Sequence, residues 1–280
     1  MKFKNVQQMK AAVKNKAAEL ELPSDAVMQN YMMERFLERI SLSNYRHNFI
    51  LKGGLLISSY TGLSARTTMD IDTTVKGFPL SVESLSQIFK EICMIDADDD
   101  ILFTISSLEE IRLFDHYPGI RIKLIAVYAG MKISFSVDVT TGDRITPHEI
   151  NRRFHLMFED RGIDVLSYPL ETILAEKIET ILSRSIANTR PRDFYDVYVL
   201  SKLQTNPVDI NNLSAALKET MDFRGSSSIL DNYHHILSEI RENPEMNQRW
   251  LTYQKHFVYA SDIDFKEVCL FIEKLIDDLP

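Results

Sequence analysis

Two aspartates separated by one residue, Asp70 and Asp72, are the side chains in this sequence best suited to chemistry. They lie in residues 69–75, a stretch with the composition of a β-strand. Side chains at positions i and i+2 of a strand point to the same side, so both carboxylates face one way. Two hard oxygen anions on one rigid element suit a magnesium ion that also holds a polyphosphate. The pair therefore predicts metal-assisted phosphate chemistry.

A third acid is a candidate to join this pair. Strands are predicted at 101–105, 120–128 and 132–140, and the last two are joined as a hairpin. Asp138 interrupts the otherwise apolar end of that hairpin, where a carboxylate is costly to bury unless it is paired or bound to a cation. Asp138 is therefore either a third metal ligand or a strand-end residue that caps the following turn.

One lysine takes a position where an apolar residue is expected. A helix predicted from about Leu170 to Ile186 carries an apolar stripe on one face, and Lys177 occupies a place within that stripe. An ammonium group there must extend to solvent, pair with an acid or meet a phosphate. The neighbouring sequence favours a functional lysine.

That neighbouring sequence opens the next helix. Asp193 and Asp196 are three residues apart, so they resemble a capping box in which Asp193 is the N-cap. The same spacing also places both acids on one helix face. Because Arg190 and Arg192 flank the start of this helix, the segment is equally a candidate phosphate site.

Composition and charge limit the classes of protein that fit. The chain has 280 residues, a net charge of −8 and 45% hydrophobic residues, which is typical of a two-domain globular protein rather than a basic nucleic-acid binder. The start of the chain lacks the features of a signal peptide, and no stretch is apolar enough to span a membrane, so a cytoplasmic protein is expected. Motifs typical of serine hydrolases, P-loop and Rossmann proteins and zinc proteases are also missing from the sequence.

Two basic regions are candidates for RNA contact. The first, in the N-terminal helices predicted at 4–21 and 25–42, contains Arg35 and Arg39, which are expected on a solvated helix face. The second is the segment 144–161. The acidic run at 96–100 lacks the spacing of a calcium loop and is expected to form a solvated turn.

In order and spacing, the motifs Lys52-Gly53-Gly54, Arg66-Thr-Thr68-Met-Asp70-Ile-Asp72, Lys177 and Arg192-Asp193-Phe-Tyr-Asp196 resemble the AbiEii/AbiGii family of polymerase-β-like nucleotidyltransferase toxins. The resemblance implies an α+β fold, in which a mixed sheet flanked by helices forms a nucleotidyltransferase-like core and a helical domain follows. The implied division is a domain at 1–168, with two N-terminal helices, and a helical domain at 169–280.

The resemblance also implies a function. Members are toxins of two-gene toxin–antitoxin pairs that are linked to abortive infection and phage defence, with a winged-helix antitoxin as partner. They bind an NTP, which for this chain is expected to be GTP or a pyrimidine NTP, and some relatives add nucleotides to RNA such as the tRNA 3′ end. The implied catalytic residues are Asp70, Asp72, Lys177, Asp193 and Asp196. The implied nucleotide-binding residues are Lys52, Gly53, Gly54, Arg66, Thr68 and Arg192. The implied ligands of Mg²⁺ are Asp70, Asp72 and Asp138.

One departure from the wider superfamily keeps two other functions open. Most nucleotidyltransferases have Gly-Ser where this chain has Gly53-Gly54, so a hydroxyl that touches a phosphate is missing. A kinase-type phosphotransferase could use the same acids and lysine. A non-catalytic GTP- or RNA-binding module could hold magnesium without transferring any group.

Overall fold

A computed structural model describes residues 2–64, 66–111, 119–203, 205 and 207–280. The chain divides into two units. Unit 1 contains residues 1–143 and 150–167, and unit 2 contains residues 144–149 and 168–280. Each unit is described by itself below.

Unit 1 is built on a seven-stranded mixed sheet with the strand order β3-β4-β5-β2-β1-β7-β6. Strand β2 runs parallel to β5 and antiparallel to β1, while β1 runs parallel to β7. The strands are β1 (Phe49–Lys52), β2 (Asp70–Val75), β3 (Leu102–Ile111), β4 (Gly119–Tyr128), β5 (Met131–Thr141), β6 (Ile150–His155) and β7 (Gly162–Ser167).

Within its described residues, unit 1 has four α-helices. They are α1 (Val6–Leu20), α2 (Ser24–Leu42), α3 (Gly53–Thr61) and α4 (Val82–Cys93). Alternate residues of β4, among them Ile122 and Leu124, are fully buried, as a strand with one covered face requires. Phe36 of α2 packs against Phe89 of α4 and Phe135 of β5, so aromatic contacts join both helices to the sheet.

Unit 2 is helical, as the sequence predicts for this part of the chain. Its helices are α5 (Leu170–Arg184), α6 (Pro191–Ser201), α7 (Ile210–Arg224), α8 (Tyr233–Glu242), α9 (Pro244–His256) and α10 (Phe265–Asp277). Short 3₁₀ segments lie at Ser185–Ala187, Ser227–Asn232 and Val258–Ala260. Trp250 and Phe194 both pack on Phe265, which places an aromatic cluster in the core of the unit. In the described part of the chain no helix has the length and apolarity needed to cross a bilayer.

The fold class predicted from the sequence is confirmed: a mixed sheet flanked by helices is followed by a helical region. Three strands were not predicted, β1, β6 and β7. Strand β6 lies at the edge of the sheet, beside β7, and carries Arg152 and Arg153 in succession, so its sequence shows little apolar alternation.

The expectation of solvated charges on α2 is wrong. Arg35 and Arg39 have relative exposures of 0% and 2%. The acidic run was also expected to be solvated throughout, yet Asp99 is buried and accepts two hydrogen bonds from Arg39, at 2.7 and 2.9 Å. Arg35 donates to Glu159 at 2.6 Å. These side chains are therefore part of the folded core and do not form an RNA-binding face.

We call the full set of charges the α2 ion network. Its members are Glu34, Arg35, Glu38, Arg39, Asp99, Glu159 and Arg161. Arg161 belongs to the second basic region singled out in the sequence, and it bonds Glu38 at 2.6 Å. Nearby in the same region, Arg153 pairs with Asp164 and Arg152 donates to Ser59. Much of the positive charge of this region is therefore neutralised or hydrogen-bonded within unit 1.

Candidate active site

Three aspartates of unit 1 come together on two neighbouring strands. Asp70 and Asp72 lie on β2, and Asp138 lies on β5, where it is the register partner of Asp72 in a parallel pair. One carboxylate oxygen from each residue lies within 4.8 Å of the other two. Asp70 and Asp72 are half-buried and Asp138 is buried. We call these residues the carboxylate triad.

The triad carries more negative charge than its neighbour neutralises. Arg121 of β4 lies opposite Asp138 in the sheet and donates from Nε and Nη2 to the two carboxylate oxygens, both at 2.7 Å. The hydrogen bonds and charge of Asp138 raise the pKa of Arg121 above its ordinary range. Counted with Arg121 alone, three ionised carboxylates carry a formal charge of about −2, because the arginine stays protonated.

This arrangement fits a divalent cation. The donor set consists of hard oxygen atoms, and Mg²⁺ in proteins is typically bound through one or two carboxylates together with substrate phosphates. Asp138 lies inside β5 and not at its end, so the alternative of a turn-capping residue does not describe its position. Its bidentate bond with Arg121 holds the carboxylate beside the other two acids.

The glycine pair permits a close approach to the triad. Gly53 begins α3 with φ +65°, and a Cβ atom there would overlap the carboxylate of Asp72. A Cβ atom on Gly54 would lie 2.5 Å from Thr68 Oγ1. Only glycine lets the start of α3 lie this close to both side chains, since real Cβ atoms do not come within about 3 Å of such atoms. The first amide groups of a helix have no partner within the helix and suit an anion.

The other predicted nucleotide-binding residues of unit 1 are packed around the acids. Thr68 donates from Oγ1 to Asp70 Oδ1 at 3.0 Å, and Arg66 donates to the carbonyl oxygen of Thr67. Both side chains are buried. These contacts fix the turn that leads into β2 and so position Asp70.

Lys52 is the register partner of Asp72 on the neighbouring strand β1, and it directly precedes the glycine pair. It donates to Thr140 Oγ1 at 2.8 Å and forms an ion pair with Asp143. Sequence reasoning missed Asp143, which follows a turn and has no motif around it. Asp143 holds a cationic side chain at the edge of the triad.

In unit 2, the predicted lysine and its acids form a cluster of their own. Lys177 Nζ of α5 lies 2.8 Å from an oxygen of Asp193 and 2.8 Å from an oxygen of Asp196, both on α6. Asp196 is fully buried. Of the three roles open to this lysine, pairing with an acid is the one seen within unit 2.

The prediction of Asp193 as an N-cap is wrong. Helix α6 begins at Pro191, with Arg190 as the cap residue, so Asp193 lies inside the first turn. Proline at the first helical position has no N–H to satisfy and sets the backbone angle of the turn. Arg192 extends over the ring of Phe257, with 5.4 Å between the guanidinium carbon and the ring centroid. The roles predicted for Lys177, Arg192, Asp193 and Asp196 remain predictions.

Comparison with known proteins gives the class to which this chain belongs. Residues 35–269 match the model of the family described as "Nucleotidyl transferase AbiEii toxin, Type IV TA system". The chain is therefore a member of the AbiEii family of nucleotidyltransferase toxins of type IV toxin–antitoxin systems, and the resemblance stated from the motifs is confirmed. No curated protein matches the chain.

Two solved structures that match the chain have low sequence identity to it. JHP933 from Helicobacter pylori is 13% identical with a TM-score of 0.49, and the match covers 91% of this chain and 92% of that one. An antigenic nucleotidyltransferase-like protein from Paracoccidioides brasiliensis is 18% identical with a TM-score of 0.41, covering 72% of this chain and 92% of that one.

Proposed function

We propose that this toxin transfers a nucleotide from an NTP to the 3′-hydroxyl of an RNA, such as the tRNA 3′ end, and thereby halts growth. The observation that supports this most directly is the carboxylate triad, in which oxygens of Asp70, Asp72 and Asp138 lie within 4.8 Å of one another. Acids at this spacing beside a helix start suit an ion that binds the phosphates of an NTP.

The residues of unit 1 divide the work. Asp70, Asp72 and Asp138 would hold Mg²⁺, which when bound supplies positive charge to the phosphoryl oxygens. The amide groups at the start of α3, which begins at Gly53, would donate hydrogen bonds to the triphosphate. In the transfer, the 3′-hydroxyl gives its proton to water and its oxygen bonds to the α-phosphorus. The bond from that phosphorus to the bridging oxygen breaks, and pyrophosphate leaves.

Unit 2 supplies the remaining residues of the proposal. Family resemblance assigns Lys177 and Arg192 to the phosphates and Asp193 and Asp196 to the catalytic set. The test is Lys177→Met with Lys218→Met as control, since Lys218 is an exposed lysine of α7 in the same unit. If only the first variant loses transfer, and both variants have the same melting temperature in the absence of NTP, the result would support a role of Lys177 in the chemistry. Loss of stability alone would assign Lys177 to the fold.

Labelled nucleotides separate this reaction from its rivals. Purified chain is incubated with total RNA, Mg²⁺ and each NTP in turn, labelled at the α- or the γ-phosphate. Nucleotidyl transfer places α label on RNA, whereas a kinase-type reaction would place γ label on its acceptor. Tight NTP binding without any labelled product would instead define a binding module. The same series identifies the preferred NTP, for which GTP and the pyrimidine NTPs are the candidates.

A matched pair of variants ties the product to the triad. Asp72→Asn removes one charge from the triad, and Asp160→Asn removes one charge from an exposed position in unit 1. We expect loss of product and of growth arrest for Asp72→Asn only. If both variants transfer label as the unmodified chain does, the triad is not the catalytic centre.

The cellular part of the proposal follows from the family. A type IV toxin–antitoxin family implies an antitoxin, which we propose to be a winged-helix protein that need not bind the toxin stably. We propose that the toxin acts in the cytoplasm, where NTPs and RNA are available, and that growth arrest limits phage. Phage plating on cells that carry the unmodified or the Asp72→Asn gene tests this last point.

A further inference from the structure

A cleft of about 350 Å³ opens beside the carboxylate triad on the sheet of unit 1. Asp70 belongs both to the triad and to the lining of this cleft. The other lining residues that matter here are Gln29, Met69, Arg121, Lys123, Ile125 and Ser136. The cleft is therefore continuous with the place where the proposed metal ion would be bound.

The strand order separates this cleft from the glycine pair. Strand β1, which leads into Gly53, lies on one side of β2, whereas β5 and β4 lie on the other side. In an in-line phosphoryl transfer the attacking and leaving oxygens lie on opposite sides of the phosphorus. If the triphosphate lies at the start of α3, the acceptor hydroxyl must approach from the side of β5 and β4, where the cleft is.

The cleft carries cationic groups suited to a phosphodiester. Arg121 and Lys123 are two residues apart on β4 and so share a face of the sheet. The bidentate bond to Asp138 uses Nε and Nη2 of Arg121, and Nη1 makes no hydrogen bond within the described residues. Lys123 pairs with Glu109 at 2.7 Å, but both side chains are about half exposed, and such pairs are easily exchanged for another anion.

The cleft also has an apolar, polarisable wall. Met69 is 69% exposed and Ile125 is half-buried. A methionine thioether makes favourable contacts with aromatic rings, and a nucleobase is such a ring. Gln29 of α2 donates to the carbonyl oxygens of Met69 and Ser134, each at 3.2 Å, so it fixes the residue before Asp70 against β5.

We propose that this cleft holds the 3′-terminal nucleotide of a single-stranded RNA acceptor, with Arg121 and Lys123 on its phosphodiester and Met69 against its base. This rests on the proposed function, whose acceptor it locates. The volume is at the low end of the ~300–1,000 Å³ typical of small-molecule sites, which admits one nucleotide and excludes a folded protein segment. Sequence specificity is not built in, because phosphate and stacking contacts are tolerant of base identity.

The test measures RNA binding without NTP, so that no transfer occurs. A 5′-fluorescent single-stranded RNA with a free 3′-hydroxyl is titrated with the full chain in Mg²⁺ at several salt concentrations. We expect Lys123→Ala to weaken binding roughly threefold to tenfold, as for one exposed charge-assisted contact. The slope of log affinity against log salt should fall by about one. Lys90→Ala, an exposed lysine of α4 that does not line the cleft, is the control and should bind as the unmodified chain does.

Two further measurements separate the base contact and locate the RNA. Met69→Ala should weaken binding without changing the salt slope, because it removes an apolar contact only. RNA that ends in 4-thiouridine should crosslink to peptides from β2, β4 and β5. Crosslinks confined to other segments would overturn the proposal, and so would equal RNA binding by Lys123→Ala and Lys90→Ala. Transfer of NTP label to a protein, in a reaction that depends on Lys123, would also overturn it.

Failure of this proposal is distinguishable from failure of the proposed function. One outcome is that RNA binds in the cleft, as judged by Lys123→Ala and the crosslinks, but never receives a nucleotide. That outcome would refute the transferase proposal and leave the RNA-binding proposal standing. The other outcome is that Lys123→Ala and Lys90→Ala transfer nucleotide to RNA equally well at low RNA concentration. That outcome would refute the RNA-binding proposal for the cleft and leave the transferase proposal standing.

Discussion

Unit 1 contains two groups of acids and arginines that are similar in composition but differ in burial and in charge balance. In the carboxylate triad, three aspartates lie together, Arg121 bonds Asp138, and Asp70 and Asp72 are half-buried. In the α2 ion network, four acids face three arginines, and most of the side chains are buried. The first group has three carboxylates close together with access to solvent, and the second is nearly balanced in charge and mostly buried.

The difference shows how structural charges are told from functional ones. Burial of ionised groups is tolerated only when each is paired and hydrogen-bonded, as Arg39 is with Asp99. The network also uses protonation: burial raises the pKa of Glu34 from 4.5 to about 7, which brings the network closer to neutrality below that pH. The triad instead brings three carboxylates within 4.8 Å of one another, and two of them are half-buried. We therefore expect charge changes to cost stability in the network and activity in the triad.

The largest effect is expected from breaking the network at Arg39. Arg39→Met leaves Asp99 buried without its bidentate partner, so the free energy of unfolding should fall by ~3–5 kcal/mol. Burial alone would raise the pKa of Asp99, but the hydrogen bonds and charge of Arg39 outweigh it and lower the pKa. Urea unfolding at neutral pH measures the loss. The double variant with Asp99→Leu should recover much of it, and equal stability of both variants would contradict this account.

The triad should respond in the opposite way. Asp70→Asn removes one of three like charges, so thermal stability should be unchanged or slightly higher. Nucleotide transfer should fall by roughly 10²–10³-fold, or ~2.7–4 kcal/mol, which is typical for loss of one charge-stabilising group. Calorimetry and α-label transfer measure the two quantities on one preparation. A variant that is unstable as well as inactive would place Asp70 with the structural charges.

A pH series on Glu34 sharpens the comparison within the network. In the folded chain Glu34 keeps its proton up to about pH 7, whereas in the unfolded chain it releases it above about pH 4.5. The folded state therefore binds more protons in this window, and stability falls as pH rises through it. Glu34→Gln removes the penalty and can still accept from the Met157 N–H. Its stability relative to the unmodified chain should rise by ~2–3 kcal/mol between pH 5 and 8.

The smallest expected effect is stabilisation by the metal alone. At Mg²⁺ ten times its dissociation constant, binding to the folded state should add ~1.4 kcal/mol to the free energy of unfolding, and a chelator should remove it. Asp70→Asn should not respond, while Asp160→Asn should respond as the unmodified chain does. A Mg²⁺ response that survives Asp70→Asn would mean that the ion binds somewhere other than the triad.

Local patterns predicted the chemistry-bearing residues, and non-local pairing decided what was missed. The i, i+2 spacing of Asp70 and Asp72 fixed their common face, and a lone acid in an apolar strand identified Asp138. The pairing of Arg39 with Asp99 spans 60 residues and leaves no periodic trace. The pairing of β7 with β1 is also non-local, because β1 lies far away in the chain. Sequence patterns report which side of an element is apolar, but not which distant charge lies across from it.

The contacts of Gln29 have a consequence for how the family is delimited. The family match starts at residue 35, inside α2, while Gln29 lies six residues earlier in the same helix and bonds the residue next to Asp70. Neither N-terminal helix carries a motif, yet the second anchors the strand that bears the acids. A chain trimmed to the family boundary would keep every signature residue. It would lose the Gln29 side chain, which joins the residue before Asp70 to β5. Domain limits drawn by similarity therefore mark the part of this toxin that is recognisable, and not the part that is sufficient.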